Sequence, residues 1–189
     1  MRLYELGSCL VGDVDLGELA KPHLDYLADL TGETIHLAAL QEDEIIYLYK
    51  ADAVCATVRL TSRVGRSNPL YGIGVGKARM SCWTDEQITA YWKSIRLEQF
   101  TAYTITELPQ IRKELHETRS CGYALDNQEH ELGVRCLAVP IFNFHNEPVA
   151  AISISTLISR MGDEEVIRYA PLIRTTAREI SKLLGQASL

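Results

Sequence analysis

The chain has 189 residues, a length usual for a single domain. Hydrophobic residues make up 47% and charged residues 23%, with 12 Gly and 6 Pro, an ordinary globular composition that excludes wholesale disorder, collagen and coiled coil. Nineteen Lys and Arg against 25 Asp and Glu leave a net charge of −6, and a domain that grips DNA by itself carries a basic face; the bulk surface of this chain is not one.

In chain order, RLYELGSCLVGD has weak amphipathic character and reads as a connector, residues 1–13, ahead of one domain over 14–189. From Leu16 to Leu30, apolar residues fall at Leu16, Leu19, Leu24, Leu27 and Leu30, the spacing of a helix packed on one side, with Pro22 marking an early turn or a kink. Thr31-Gly32 stops it. TIHLAAL and EIIYLYKAD, split at Gln41 to Asp43, read as a hairpin, and Thr57 to Leu60 as a third strand before a loop over Thr61 to Leu70. Gly72, Gly74 and Gly76 open a helix through Met80. Thr84 and Gln87 have capping-box spacing at the start of a second helix.

A longer helix is expected from about Glu107 to Cys121, with Leu108, Ile111, Leu115 and Thr118 on its packed side, Pro109 in its first turn and Gly122 as a left-handed C-cap. The strand YALD follows, then a polar loop, the strand RCLAVPIFN, a tight turn at His145-Asn146 and the strand VAAISIS. Asp163 is expected to cap a last helix through Leu184, ended by Gly185. Helix, strands, helices, strands, helix, joined by hairpins, predicts an α+β domain with a mainly antiparallel sheet.

Five cysteines, at 9, 55, 82, 121 and 136, contain no CxxC pair, and no apolar run approaches the roughly 18 residues of a membrane span. A reducing, cytoplasmic setting without membrane residence is the expectation.

The strands beside His145-Asn146 sort by face. Leu137, Val139 and Ile141 share one side with Ile152 and Ile154, while Cys136, Ala138 and Pro140 share the other with Ala151, Ser153 and Ser155. A two-residue turn would set Phe144 opposite Glu147, Ala138 opposite Ser153 and Cys136 opposite Ser155. A face of small residues either lies under a close helix or floors a cavity, and two hydroxyls with a thiol favour a ligand site.

The run YGIGVGKA fails the Walker pattern at Tyr71 and Ala78, and fails GxGxxG because Lys77 stands at the third glycine. Glycines at a helix start still let backbone N–H groups approach an anion, although close packing requires the same residues. DNQEHELG supplies Asp126, Glu129 and Glu131, either a solvated loop or acceptors for a polyol. Cys136 with His130 resembles a nucleophile and base, and Glu129, His130 and Cys136 a zinc set, but neither has a supporting constellation.

TGETIHLA, GRSNPLYGIGVGKA, RSCGYALDNQEHELGVRCLAVPIFN and VAAISIS resemble, in order, the effector-binding domain of IclR-type bacterial transcription regulators. RLYELG, TGETIHLA and NPLYGIGVGKA are most similar to the KdgR-type subgroup, which governs 2-keto-3-deoxygluconate and pectin catabolism. The resemblance implies a GAF-like or profilin-like sensor with a curved antiparallel sheet, preceded by a winged helix-turn-helix absent from this sequence. It also implies ligand-binding residues at Gly74, Val75, Asp126, Cys136, Ser153 and Ser155, with a small organic acid as effector and no cofactor or metal. DNA would be bound only through the absent domain, and the chain would form a homodimer or homotetramer through apolar faces of its terminal helices. Tyr71, where the family often has His, and Ile73 and Val75, where it is Ala-rich, are departures that bear on pocket size. A Cys136-dependent enzyme acting on a related acid and a dimerisation module with a vestigial pocket are the competing classes.

Overall fold

The computed structural model describes residues 15–41, 44–52, 62–65 and 67–187. The connector 1–13, Cys9, Cys55 and the strand expected at Thr57 to Leu60 lie outside the described residues. Helix α1, Leu16–Thr31, starts where the Asp15 carboxylate accepts from the amides of Gly17 at 2.9 Å and Glu18 at 3.3 Å. It stops at Gly32, whose φ of +69° suits glycine. Pro22 removes one intrahelical donor yet the helix continues. Its buried stripe is Ala20, Leu24, Leu27 and Ala28; Leu30, expected on that side, is 51% exposed. Six residues beyond Leu24 is about a third of a turn round the helix, which carries Leu30 out of the stripe.

Strands β1, Thr34–Gln41, and β2, Glu44–Ala51, form the expected hairpin, with a bulge at Leu37/Ala38. Strand β3, Ser67–Pro69, lies where a loop was expected and pairs with Glu44 to Ile46. Three residues ending in Pro are an edge strand without any β-pattern to betray it. A short 3₁₀ turn, Leu70–Gly72, leads into α2, Gly74–Met80. Helix α3, Asp85–Ser94, has the expected capping box, the Gln87 amide donating to Thr84 Oγ1 at 3.3 Å and the Thr84 amide to Gln87 Oε1 at 2.8 Å. Helix α4, Leu108–Cys121, ends at Gly122 with φ +77°.

Strands β4, Ala124–Asn127, β5, Val134–Phe142, and β6, Pro148–Leu157, precede α5, Asp163–Leu183. The cap of α5 is Gly162, not Asp163: the Gly162 amide donates to Glu165 Oε2 at 3.0 Å. Asp163 is instead the first helical residue, where an acid suits the helix dipole, and it pairs with Arg135 at 2.9 Å.

The six strands form one curled sheet of order β3-β2-β1-β6-β5-β4, every neighbouring pair antiparallel. Cys136 stands opposite Ser155 and Ala138 opposite Ser153, as expected. The turn differs. The Asn143 amide donates to the Glu147 carbonyl at 3.0 Å, and Asn146 has φ +58°, so three residues rather than two form the loop. A register shift at Ile141/Phe142, where Phe142 faces Pro148 and Ile141 faces Ala150, leaves Val149 as the extra residue and restores the anticipated pairing.

The two faces of the sheet carry different cores. Helices α1 and α5 cover Ile35, Leu37, Leu137, Val139, Ile141, Ile152 and Ile154. Helices α2, α3 and α4 cover the other face around Ala38, Ala124, Ala138 and Ala151. Small residues there let backbone approach backbone: a Cβ added at Gly74 would meet the Cβ atoms of Ala138, Asp126 and Cys136 at 3.4 to 3.5 Å. A Cβ at Gly76 would lie 2.1 Å from the Leu70 carbonyl oxygen, so no other residue fits there unless the 3₁₀ turn moves.

Candidate functional site

Both readings of the small-residue face hold at once. The body of α2 packs on it, and beyond the start of α2 a cavity of about 60 Å³ opens, lined by Gly74, Val75, Asp126, Cys136, Ser153 and Ser155. All six residues singled out in the sequence meet there. Gly74 and Val75 contribute the first two helical amides, ahead of the first intrahelical bond from Lys77 N–H to the Ile73 carbonyl, and no side chain of Ile73 caps them. Ser153 and Ser155, two apart on β6, point the same way with their hydroxyl oxygens 3.2 Å apart.

Asp126 reaches the cavity from β4 and is 4% exposed. Burial, reinforced by nearby Glu129 and opposed by Lys77, lifts its carboxyl to about 7. Its Oδ1 also accepts the Glu129 amide at 2.8 Å, which pins the following loop. Burial pushes the Cys136 thiol up, with Asp126 adding to the effect and Ser155 opposing it, the reverse of what an activated nucleophile needs.

Lys77, excluded from a phosphate loop by the sequence, is fully buried and turned away from the cavity. Its ammonium sits 2.6 Å from Glu129 Oε1 and 3.0 Å from Glu114 Oε1. Burial alone would lower its pKa, but Glu129 and Glu114 outweigh it and the amine is raised and charged. Glu129 is therefore committed to a strut between α2 and the 126–131 loop and does not converge with His130 and Cys136. Among the described residues no group of three or more His, Cys, Asp or Glu is placed to hold a metal ion.

Residues the sequence reading missed also line the cavity, His36 and Tyr47 from β1 and β2, Ser62, Asn68 from β3 and Val134, together with His130 and Glu131 of the DNQEHELG run. His36, lone in an apolar strand, carries no motif, although its alternation with Leu37 would have placed it on the small-residue face. A wider groove of about 380 Å³ between α4 and α5 is lined by Arg119, Arg174 and Arg178 among others, but by none of the residues singled out beforehand. There Arg119 is occupied by the carbonyls of Ser81 and Trp83, each at 2.6 Å.

Residues 9–182 match the family model described as bacterial transcriptional regulator IclR C-terminal. The chain belongs to the IclR family. It is 37% identical over 186 residues to the HTH-type transcriptional regulator KdgR of Escherichia coli K12, covering 98% of this chain and 70% of that one. The HTH-type transcriptional repressor AllR of the same strain is 31% identical over 185 residues, covering 98% and 68%. The crystal structure of the Thermotoga maritima IclR superposes with a TM-score of 0.87 at 33% identity, over 97% of this chain and 74% of that one. The chain is thus the effector-binding domain of an IclR-family regulator, with the α+β fold expected, and the relatives are regulators rather than enzymes. No helix among the described residues is long and apolar enough to cross a membrane.

Proposed function

We propose that this IclR domain binds a small 2-keto acid or sugar acid, such as 2-keto-3-deoxygluconate, and passes the occupancy on to a DNA-binding domain outside this sequence, as part of a cytoplasmic repressor. The observation that carries the reading is the convergence of helix-start amides and paired hydroxyls on one buried cavity. Gly74 and Val75 N–H with the Ser153 and Ser155 hydroxyls hold the carboxylate. Asp126 exchanges hydrogen bonds with ligand hydroxyls, and Cys136 supplies a weak donor on the floor. The donors that the described lining residues offer are neutral amides and hydroxyls.

The cavity of about 60 Å³ takes the small carboxyl and 2-keto end, with the rest of a sugar acid running toward His130 and Glu131 at the loop. Likeness to KdgR favours that ligand class. Occupancy regulates only if it favours one quaternary arrangement, typically by ~1–3 kcal/mol. Exposed Tyr26 and Leu30 on α1 and Ile167 on α5 are candidate contacts of a homodimer or homotetramer.

The test is thermal unfolding of the purified domain with 2-keto-3-deoxygluconate, pyruvate and gluconate. A ligand at a hundred times its Kd should add about 2.7 kcal/mol, and Ser153→Ala with Ser155→Ala should abolish the gain. Stabilisation that survives the double substitution, or turnover of the acid lost in Cys136→Ser, contradicts the proposal.

A further inference from the structure

His36 touches the hydroxyl pair that the proposed acid site depends on. It stands opposite Ser153 in the β1/β6 ladder and is 3% exposed. Its Nδ1 lies 3.2 Å from Ser155 Oγ and 3.5 Å from Ser153 Oγ, and its Nε2 lies 2.7 Å from Ser62 Oγ. The Tyr47 ring, 5.1 Å away centre to centre and tilted by 48°, packs against the imidazole. We infer that His36 is a positioning residue of this site: in its Nδ1–H form it leaves both serine hydroxyl protons available to an anionic ligand. The inference rests on the reading of the cavity as an acid site.

Proton counting carries the argument. A neutral imidazole has one N–H and one lone pair, and a serine hydroxyl has one proton and two lone pairs. With the proton on Nδ1, His36 donates to Ser155 Oγ while Ser62 O–H donates to Nε2. Neither Ser153 nor Ser155 then spends its proton on the ring, and both can turn to a carboxylate. With the proton on Nε2, the ring donates to Ser62, and Nδ1 must accept from Ser155 or Ser153. One of the two donors is then spent on the ring and lost to the anion.

The ring stays neutral because burial, aided by the Lys50 ammonium, holds it down to about 3, so the choice is between tautomers rather than charges. An acid in the cavity therefore selects the Nδ1–H form. A histidine that merely satisfies neighbouring hydroxyls has no reason to change tautomer with ligand.

The direct test is nitrogen NMR of imidazole-labelled protein at neutral pH, free and saturated with pyruvate or 2-keto-3-deoxygluconate. The expected result is a His36 signal with the proton on Nδ1 in the saturated protein. A predominant Nε2–H form in a protein that demonstrably binds the acid overturns the inference and leaves the acid site standing. If neither acid binds, measured by thermal shift on the same samples, both fall. As a second readout, His36→Asn keeps an amide donor where Nδ1 sat and should hold affinity within about threefold, whereas His36→Gln, reaching toward Ser62, should lose about tenfold, the worth of one ordinary hydrogen bond. Unliganded melting curves establish that both variants fold. Equal losses in the two overturn the inference.

Discussion

The two faces of the sheet are made by the same strands and do opposite work. On the face under α1 and α5, the central alternate positions of β5 and β6, Leu137, Val139, Ile141, Ile152 and Ile154, are branched aliphatics on which the helices pack, with Arg135 and Thr156 at the end of the ladder. On the face under α2, the alternate positions are Cys, Ala, Pro and Ser, and the volume given up by those side chains goes to helix backbone and to a cavity. Both faces carry a core, and recognition is proposed for the second alone. A period of two in the sequence suffices to write both messages in one strand, because neighbouring residues never share a side.

The sharpest break in that division is Lys77, a structural charge on the face proposed for recognition. Lys77→Met leaves the buried Glu129 and the half-buried Glu114 without their cation and should cost about 3–5 kcal/mol in urea unfolding, of which replacing Glu129 by Leu in the same chain should recover most. Ile154→Ala on the aliphatic face should cost about 2–5 kcal/mol and leave acid affinity unchanged once the folded fraction is accounted for. Its mirror is Ala138→Val, which crowds Gly74 from beneath: a cost of about 1–3 kcal/mol, together with loss of measurable acid binding by calorimetry. Ser155→Ala should change stability by about 1 kcal/mol or less while weakening the acid roughly tenfold.

A pH effect tests the same face. Asp126 keeps its proton up to about 7 in the folded chain but only to its ordinary value of 3.8 when unfolded. The folded state then binds the extra proton, and the carboxyl's contribution to stability declines as pH rises through that window. The unfolding free energy of Asp126→Asn relative to the parent should rise between about pH 4 and 7 and level off above. The opposite trend from His36, whose folded pKa of about 3 makes stability rise with pH up to its ordinary 6.5, is common to both chains and cancels in the difference.

Most of this division was legible beforehand because it is periodic. Alternation separated Leu137, Val139 and Ile141 from Cys136, Ala138 and Pro140 without any knowledge of what covered either side. The register was anticipated through the wrong turn: a three-residue loop and a bulge at Val149 offset one another, and pattern cannot distinguish that from a two-residue loop. Strand β3 was illegible because Ser67–Pro69 has no β-character of its own and pairs only because β2 offers an edge. His36, Ser62 and Asn68 come from segments remote in sequence that only the sheet order β3-β2-β1-β6 brings to the cavity. Lys77 entered the sequence reading only as the residue that breaks GxGxxG, and its ion-pair partners lie 37 and 52 residues away, beyond the reach of local spacing.

The most direct test of the division follows a titration of the labelled domain with 2-keto-3-deoxygluconate by NMR, observing backbone amides together with isoleucine methyls. Saturable shifts should be largest at the Gly74, Val75, Ser153 and Ser155 amides, while the methyls of Ile35 and Ile154 on the aliphatic face stay in place. Saturable shifts centred on Arg174 and Arg178 in the wider groove, with Gly74 and Val75 unmoved, would contradict it.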